Sequence, residues 1–282
     1  MGDRPIDPVA GNGRRFTWAS ASVHGVALLF VAFLGLPVVV LVVRAVVDGS
    51  LGSIASERAV LDALALSLLT TAISLAVTVV VGTALAWLLA RRAFRGKWLV
   101  EALVDLPIVL PPSVAGLGLL LAFGRRGVLG PQIEALGLTI PFTTLAVVLA
   151  QVFVSAPFFV RAARAGIAGV DRDLEDAARV DGASERQVFR RITLPLASTS
   201  VAAGLVMSWA RSLGEFGATI MFAGNVEGRT QTLPLVVYGK FQGNDLDSSI
   251  AAAAVLVLAA LGVLLAVRVF HWGRVLDVRA VG

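Results

Sequence analysis

Two stretches of this 282-residue chain set charged side chains where they could act on a partner or a solute. The first is Glu175-Asp176-Ala177-Ala178-Arg179-Val180-Asp181-Gly182, separated by nine residues from Ile192-Thr193-Leu194-Pro195. Drawn as a helix, it places Leu174, Ala177 and Ala178 on one side and Glu175, Arg179 and Arg186 elsewhere. Gly182 is a helix stop, so the chain is expected to turn there into a second short helix around 184–191. A loop held against anionic headgroups would explain the arginines, but not the alanine pair, the glycine hinge or the closing Leu-Pro. Those features describe a docking surface. The second stretch holds Arg211 and Glu215, four residues apart and so able to pair along one helix face. Arg211 lies about 20 Å into an apolar run at about 1.5 Å per residue. An arginine at that depth costs about 2.5–3.5 kcal/mol, so it needs a partner or water. The pair is either a self-neutralising strut in a helix bundle or the lining of a wet cavity in which Arg211 offers an anion a weak positive site.

Other chemistries are poorly served. The chain has no cysteine, which excludes disulfides, thiol chemistry and cysteine–metal sites. Its two histidines, His24 and His271, sit near opposite ends, each expected in an interfacial region, so no zinc or haem site is expected. No Gly-x4-Gly-Lys-Ser/Thr phosphate loop occurs, so the chain is not expected to hydrolyse ATP by itself. A membrane enzyme would need intramembrane His, Cys or paired carboxylates, and a channel would have no need of a folded docking loop. Both are remote alternatives.

The elements that position these residues are apolar. Hydrophobic residues make up 57% and charged residues 15%, and the mean hydropathy is +0.85. That is the composition of a membrane protein. Six runs, roughly 23–47, 64–90, 99–123, 143–163, 198–223 and 248–270, are each long enough to cross a core about 30 Å thick. The expected fold is all-α and polytopic: a flexible cytoplasmic tail over 1–20, then one transmembrane domain over 21–282. The first run is too long for a signal peptide, and its Ala-Ser-Ala lies before the run rather than after it. The pI near 10.8 is no sign of nucleic acid, because the arginines cluster at the ends of apolar runs. The N-terminal tail, the 2–3 and 4–5 connections and the C-terminal end hold 17 Lys and Arg, and the alternate loops hold five. Both termini and the 175–195 segment therefore face the cytoplasm, with Arg125-Arg126 against the trend. Prolines mark imperfect helices: Pro107, Pro111 and Pro112 in the third run suit a broken helix along a pathway, and Pro157 in the fourth suits a packing kink equally well. Gly82, Gly116, Gly118 and Gly204 would allow close helix contact.

The first stretch resembles the "EAA" loop of ABC importer permeases, Glu-Ala-Ala-x3-Gly-x9-Ile-x-Leu-Pro, departing only at Asp176. The resemblance implies that Leu174, Glu175, Asp176, Ala177, Ala178, Gly182, Ile192, Leu194 and Pro195 belong to a coupling loop that docks on a cytoplasmic ATPase. The run from Ser212 through Glu215 and Thr219 to Ile220, followed by Gly228-Arg229-Thr230-Gln231-Thr232-Leu233-Pro234-Leu235, resembles permeases of the molybdate (or tungstate) importer family. Sulfate permeases have a related Gly-Glu-Tyr/Phe-Gly segment that usually continues differently. The likeness spans about 60–270. It implies a type I importer permease fold with both termini inside, in a bacterial or archaeal cytoplasmic membrane. It further implies a homodimer on two ATPase subunits that use ATP and Mg, no cofactor on this chain, and an extracytoplasmic oxyanion-binding protein. The expected function is inward movement of molybdate by alternating access, with sulfate, thiosulfate or tungstate as alternative cargo. Pro107, Pro111, Pro112, Arg211, Glu215 and Thr219 are the candidate pathway residues.

Overall fold

Backbone buried in lipid must satisfy its own polar groups, and a helix does so within one segment. The computed structural model describes residues 16–55 and 57–279, with side chains over 23–265 except 53, 55 and 56, and its long elements are all helices. Among the described residues, four helices are long and apolar enough to cross a membrane unaided: α1 (Phe16–Val47), α3 (Arg58–Arg91), α7 (Thr144–Ala168) and α14 (Leu246–Arg279). A short α2 (Ser50–Ala55) links the first two. Of the expected tail, 1–15 lie outside the described residues, and α1 already begins at Phe16. The side chains of His271 and the C-terminal arginines also lie outside them.

The third and fifth crossings are broken rather than continuous. α4 (Lys97–Val109) and α5 (Pro112–Phe123) are separated by Leu110 and Pro111, both extended. A residue before proline is pushed out of helical geometry, which two consecutive prolines impose twice, while Pro112 suits the first turn of α5, where no donor is needed. Pro107, by contrast, is carried inside α4, and Pro157 inside α7. The fifth crossing is α11 (Ser198–Leu213) and α12 (Gly217–Phe222), with Gly214–Phe216 between them. That second break was not anticipated, because no proline marks it. Short helices α6 (Gly130–Ala135) and α13 (Leu233–Gln242) fill the connections at the far end.

α3, α7 and α11 form the centre, and α1 lies outside it against α14. Small residues set the spacing at the centre. A Cβ on Gly82 would stand 2.9 Å from the Phe159 ring, and one on Gly204 would stand 2.8 Å from Ala162 Cβ. Ser67, Thr70, Thr71, Ser74 and Thr78 form a buried stripe along α3. Thr70 donates to the Leu66 carbonyl at 2.8 Å and Ser74 to the Thr71 carbonyl at 2.9 Å, so these two hydroxyls keep backbone partners in the core, whereas the buried Thr78 hydroxyl has none. Gln151 of α7 ties the helices together by donating to Thr71 Oγ1 at 3.5 Å and to the Ser212 carbonyl at 3.3 Å.

Candidate coupling surface and translocation path

The chain leaves α7 into α8 (Arg172–Val180), which Asp171 caps by accepting from the Asp173 amide at 3.0 Å. Gly182, at φ +86°, ends it: its own amide reaches the Arg179 carbonyl at 3.0 Å, and the Ala183 amide reaches the Ala178 carbonyl at 2.9 Å. These two bonds make a Schellman motif, which needs a residue comfortable at positive φ. The expected second helix is longer than 184–191. It runs from α9 (Glu185–Val188) through a π turn (Phe189–Thr193) into α10 (Leu194–Leu196), then bends by 74° into α11. The widened turn ends just before Pro195, whose ring cannot donate and would crowd a carbonyl of the preceding turn.

Glu175 points inward, away from the surface expected to dock. It is 3% exposed. Its Oε1 lies 2.8 Å from Arg91 Nη2 and accepts from the Thr193 hydroxyl at 2.5 Å, while Arg91 also donates to the Val170 carbonyl at 3.0 Å. This buried cluster rivets α8 to the end of α3 and to the π turn that feeds α11. Neither Arg91 nor Thr193 was singled out from sequence; the only signal was an arginine closing an apolar run. With Glu175 inside, Leu174, Ala177 and Val180 are left on the exposed side. Arg179 brackets the loop, donating to Asp176 at 2.5 Å and to Glu185 at 2.7 Å. Its hydrogen bond holds the Glu185 carboxyl below the usual glutamate range, and the same bond pushes Arg179 upward. Ile192 and Leu194 are half-buried beneath the loop, and Pro195 is exposed.

At mid-chain the two broken helices lie side by side. A Cβ on Gly217 would fall 2.7 Å from Pro112 Cβ, and one on Gly116 would fall 2.6 Å from the Ala218 carbonyl oxygen. Gly116 and Gly217 are therefore what let α5 and α12 meet, whereas Gly118 has nothing within 4 Å. The arrangement brings Pro112, Glu215 and Thr219 to neighbouring segments and leaves Pro107 buried in the body of α4. Glu215 is buried between the breaks; its Oε1 accepts from the Ala218 amide at 2.7 Å, and its Oε2 lies 2.7 Å from Arg211 Nη1. One carboxylate thus neutralises an intramembrane arginine and starts α12. Irregular backbone at this depth is tolerated where protein or water covers it. Thr219 is buried on α12. Two further ion pairs join α4 to α7, Arg161 to Asp105 at 3.4 Å and Arg164 to Glu101 at 2.8 Å. Sequence reasoning overlooked them, although Glu101 and Asp105 are spaced to share a helix face.

Residues 79–277 match the family model described as binding-protein-dependent transport system inner membrane component. The chain is 40% identical over 242 residues to the molybdenum transport system permease protein ModB of Mycobacterium tuberculosis, covering 86% of this chain and 90% of that protein. Against ModB of Escherichia coli K12 it is 41% identical over 199 residues, 70% of this chain and 87% of that one. The sulfate transport system permease protein CysW of Synechococcus elongatus is 37% identical over 235 residues, 82% of each. Among solved structures, a chain of a bacterial ABC transporter that imports alginate aligns with a TM-score of 0.72 at 19% identity, over 91% of this chain and 94% of that one. The alginate transporter in complex with a pentasaccharide-bound periplasmic protein gives a TM-score of 0.70 at 19% identity, over 88% and 91%.

Proposed function

The chain belongs to the binding-protein-dependent transport system inner membrane components, and from that premise we propose that it carries molybdate into the cell. It is a multi-pass inner-membrane permease whose ATP hydrolysis is left to a separate subunit. The observation that carries the cargo is the match to molybdenum permeases over nine-tenths of one relative's length.

In this reading two copies of the chain pair across the translocation path, and each presents α8 to a cytoplasmic ATPase that uses ATP and Mg. Leu174, Ala177 and Val180 form the exposed contact face, and the Arg91–Glu175–Thr193 cluster passes the displacement of α8 to α3 and α11. Near the middle, the breaks at Leu110–Pro111 and Gly214–Phe216 are the points where short helical segments can shift against the fixed α3–α7 pair. Glu215 holds Arg211 neutralised, so the cationic site offered to a passing oxyanion is weak enough to release it. The path residues of this mechanism are Pro111, Pro112, Arg211, Glu215 and Thr219.

Reconstituting the chain with its ATPase and its extracytoplasmic binding protein tests the cargo. The molybdate-loaded binding protein should stimulate ATP hydrolysis and drive uptake of the anion into vesicles, with sulfate giving little of either. Stimulation by sulfate alone would remove molybdate as the cargo and leave the importer machinery standing.

A further inference from the structure

Arg125, Arg126 and Arg229 are basic residues on the side of the chain where basic residues are scarce. Connectivity puts them at one end of the molecule. α4 and α5 run away from the coupling loop, α7 runs back towards it, and α11 and α12 run away again. The α5–α6 connection, the approach to α7 and the turn after α12 therefore meet at the far end. A cavity of about 490 Å³ opens there, lined by Leu120, Arg125, Thr139, Pro141, Phe142 and Arg229. No carboxylate among the described residues lines it. Among the described residues, neither the Arg125 nor the Arg229 guanidinium has an ion-pair or hydrogen-bond partner, in contrast to Arg161, Arg164 and Arg211 in the membrane-spanning segments, each beside a carboxylate.

The cavity is held in shape by its own backbone. The Val226 carbonyl accepts from the amides of Arg229, Thr230 and Gln231 at 3.1, 2.8 and 3.0 Å, and the buried Thr230 hydroxyl accepts from the Val226 amide at 2.9 Å. Thr144 donates to the Arg229 carbonyl at 2.9 Å, pinning the turn to the start of α7. Gly228, at φ +71°, reverses the chain, so that Arg229 lines this cavity while Glu227 lines a neighbouring one of about 560 Å³ with Glu57 and Lys240. The far face is thus electrostatically polarised across a single fixed turn.

We propose that the Arg125–Arg229 cavity is the socket for an acidic loop of the extracytoplasmic binding protein. The proposal rests on the importer reading above. Size favours a protein occupant over bare cargo: at about 30 Å³ per water, the cavity holds the equivalent of many waters, and a tetrahedral oxyanion would fill little of it. Charge selects the chemistry, because unneutralised guanidiniums steer and pair with carboxylates. The adjoining Glu227 cavity repels the same acidic loop and so sets its orientation.

The test uses the complete transporter in lipid nanodiscs, titrated with its molybdate-loaded binding protein while ATP hydrolysis is followed at low and physiological salt. Arg125→Glu with Arg229→Glu should raise the half-saturating concentration about tenfold or more, leave the maximal rate unchanged and flatten the salt dependence, since rim charges act mainly on association. Should that pair block assembly, Arg125→Gln with Arg229→Gln should shift the same quantity in the same direction by less. An unchanged half-saturating concentration overturns the socket. So does a fall in maximal rate at unchanged half-saturation, which would make the arginines a cargo relay. No stimulation of the wild-type transporter by any loaded oxyanion-binding protein would instead overturn the importer reading itself.

Discussion

A buried glutamate decides how the exposed loop can work. Glu175 belongs to the polar stretch that looks like a contact surface, yet its carboxylate is spent inside, between Arg91 and Thr193. A charge pair this buried gives little net stability against an apolar replacement, but removing one partner leaves the other uncompensated at a cost of about 3–5 kcal/mol. Glu175→Ala should therefore leave the permease in the membrane with its ATPase still hydrolysing ATP at its basal rate, while cargo-stimulated hydrolysis is lost. A thermal midpoint and a stimulated rate both equal to wild type would show that the cluster carries no coupling. Asp176, the one departure from the loop pattern, is exposed and held by Arg179, so the shorter acid keeps a partner that a longer one would also reach. The hydrogen bond from Arg179 depresses the Glu185 carboxyl, so this bracket is intact above the usual glutamate pKa. It loosens only as pH falls below that range, well away from neutrality.

Two glycines show what an element owes to a missing Cβ. At Gly182 the space is open, with nothing within 4 Å, and only the backbone angle is demanding. Gly182→Val should cost about 1–2 kcal/mol at that turn, disturb the Ala183–Ala178 bond and weaken ATPase association, whereas Gly182→Asn should keep both, because asparagine tolerates the left-handed region. Pull-down of the ATPase with each variant separates the two. At Gly116 the angle is ordinary and the space is absent: a methyl would meet the Ala218 carbonyl at 2.6 Å. Gly116→Ala should push α5 off α12 and lower molybdate uptake several-fold, an effect on the order of 1–3 kcal/mol. Gly118→Ala, two residues along the same helix and facing open space, should transport at the wild-type rate. Equal rates for the two variants would separate the α5–α12 contact from transport.

For the molecule as a whole, orientation follows from the basic residues and is directly measurable. A cysteine at Ser184, beside the riveted loop, should react with an impermeant reagent only from the cytoplasmic side, and one at Asn225 only from outside; labelling of Ser184→Cys from outside would invert the topology and move the arginine socket to the wrong face. The membrane class, the helical crossings and the helix–glycine–helix turn at Gly182 were legible in the chain because each is a local property: run length against bilayer thickness, charge at the ends of runs, and a spaced motif that includes its own helix stop. The break before Pro111 was legible for the same reason, since proline acts on its own neighbours. The break at Gly214–Phe216 was not, because the backbone leaves the helix there to seat Gly217 on Pro112 and to let Glu215 reach the Ala218 amide, contacts between distant segments. Tertiary structure alone turned Glu175 inward, joined it to Arg91 and Thr193, and gathered Arg125 and Arg229 around one cavity. Residue type and spacing determine what a helix can bury, but which charge finds a partner depends on the segments that packing places beside it.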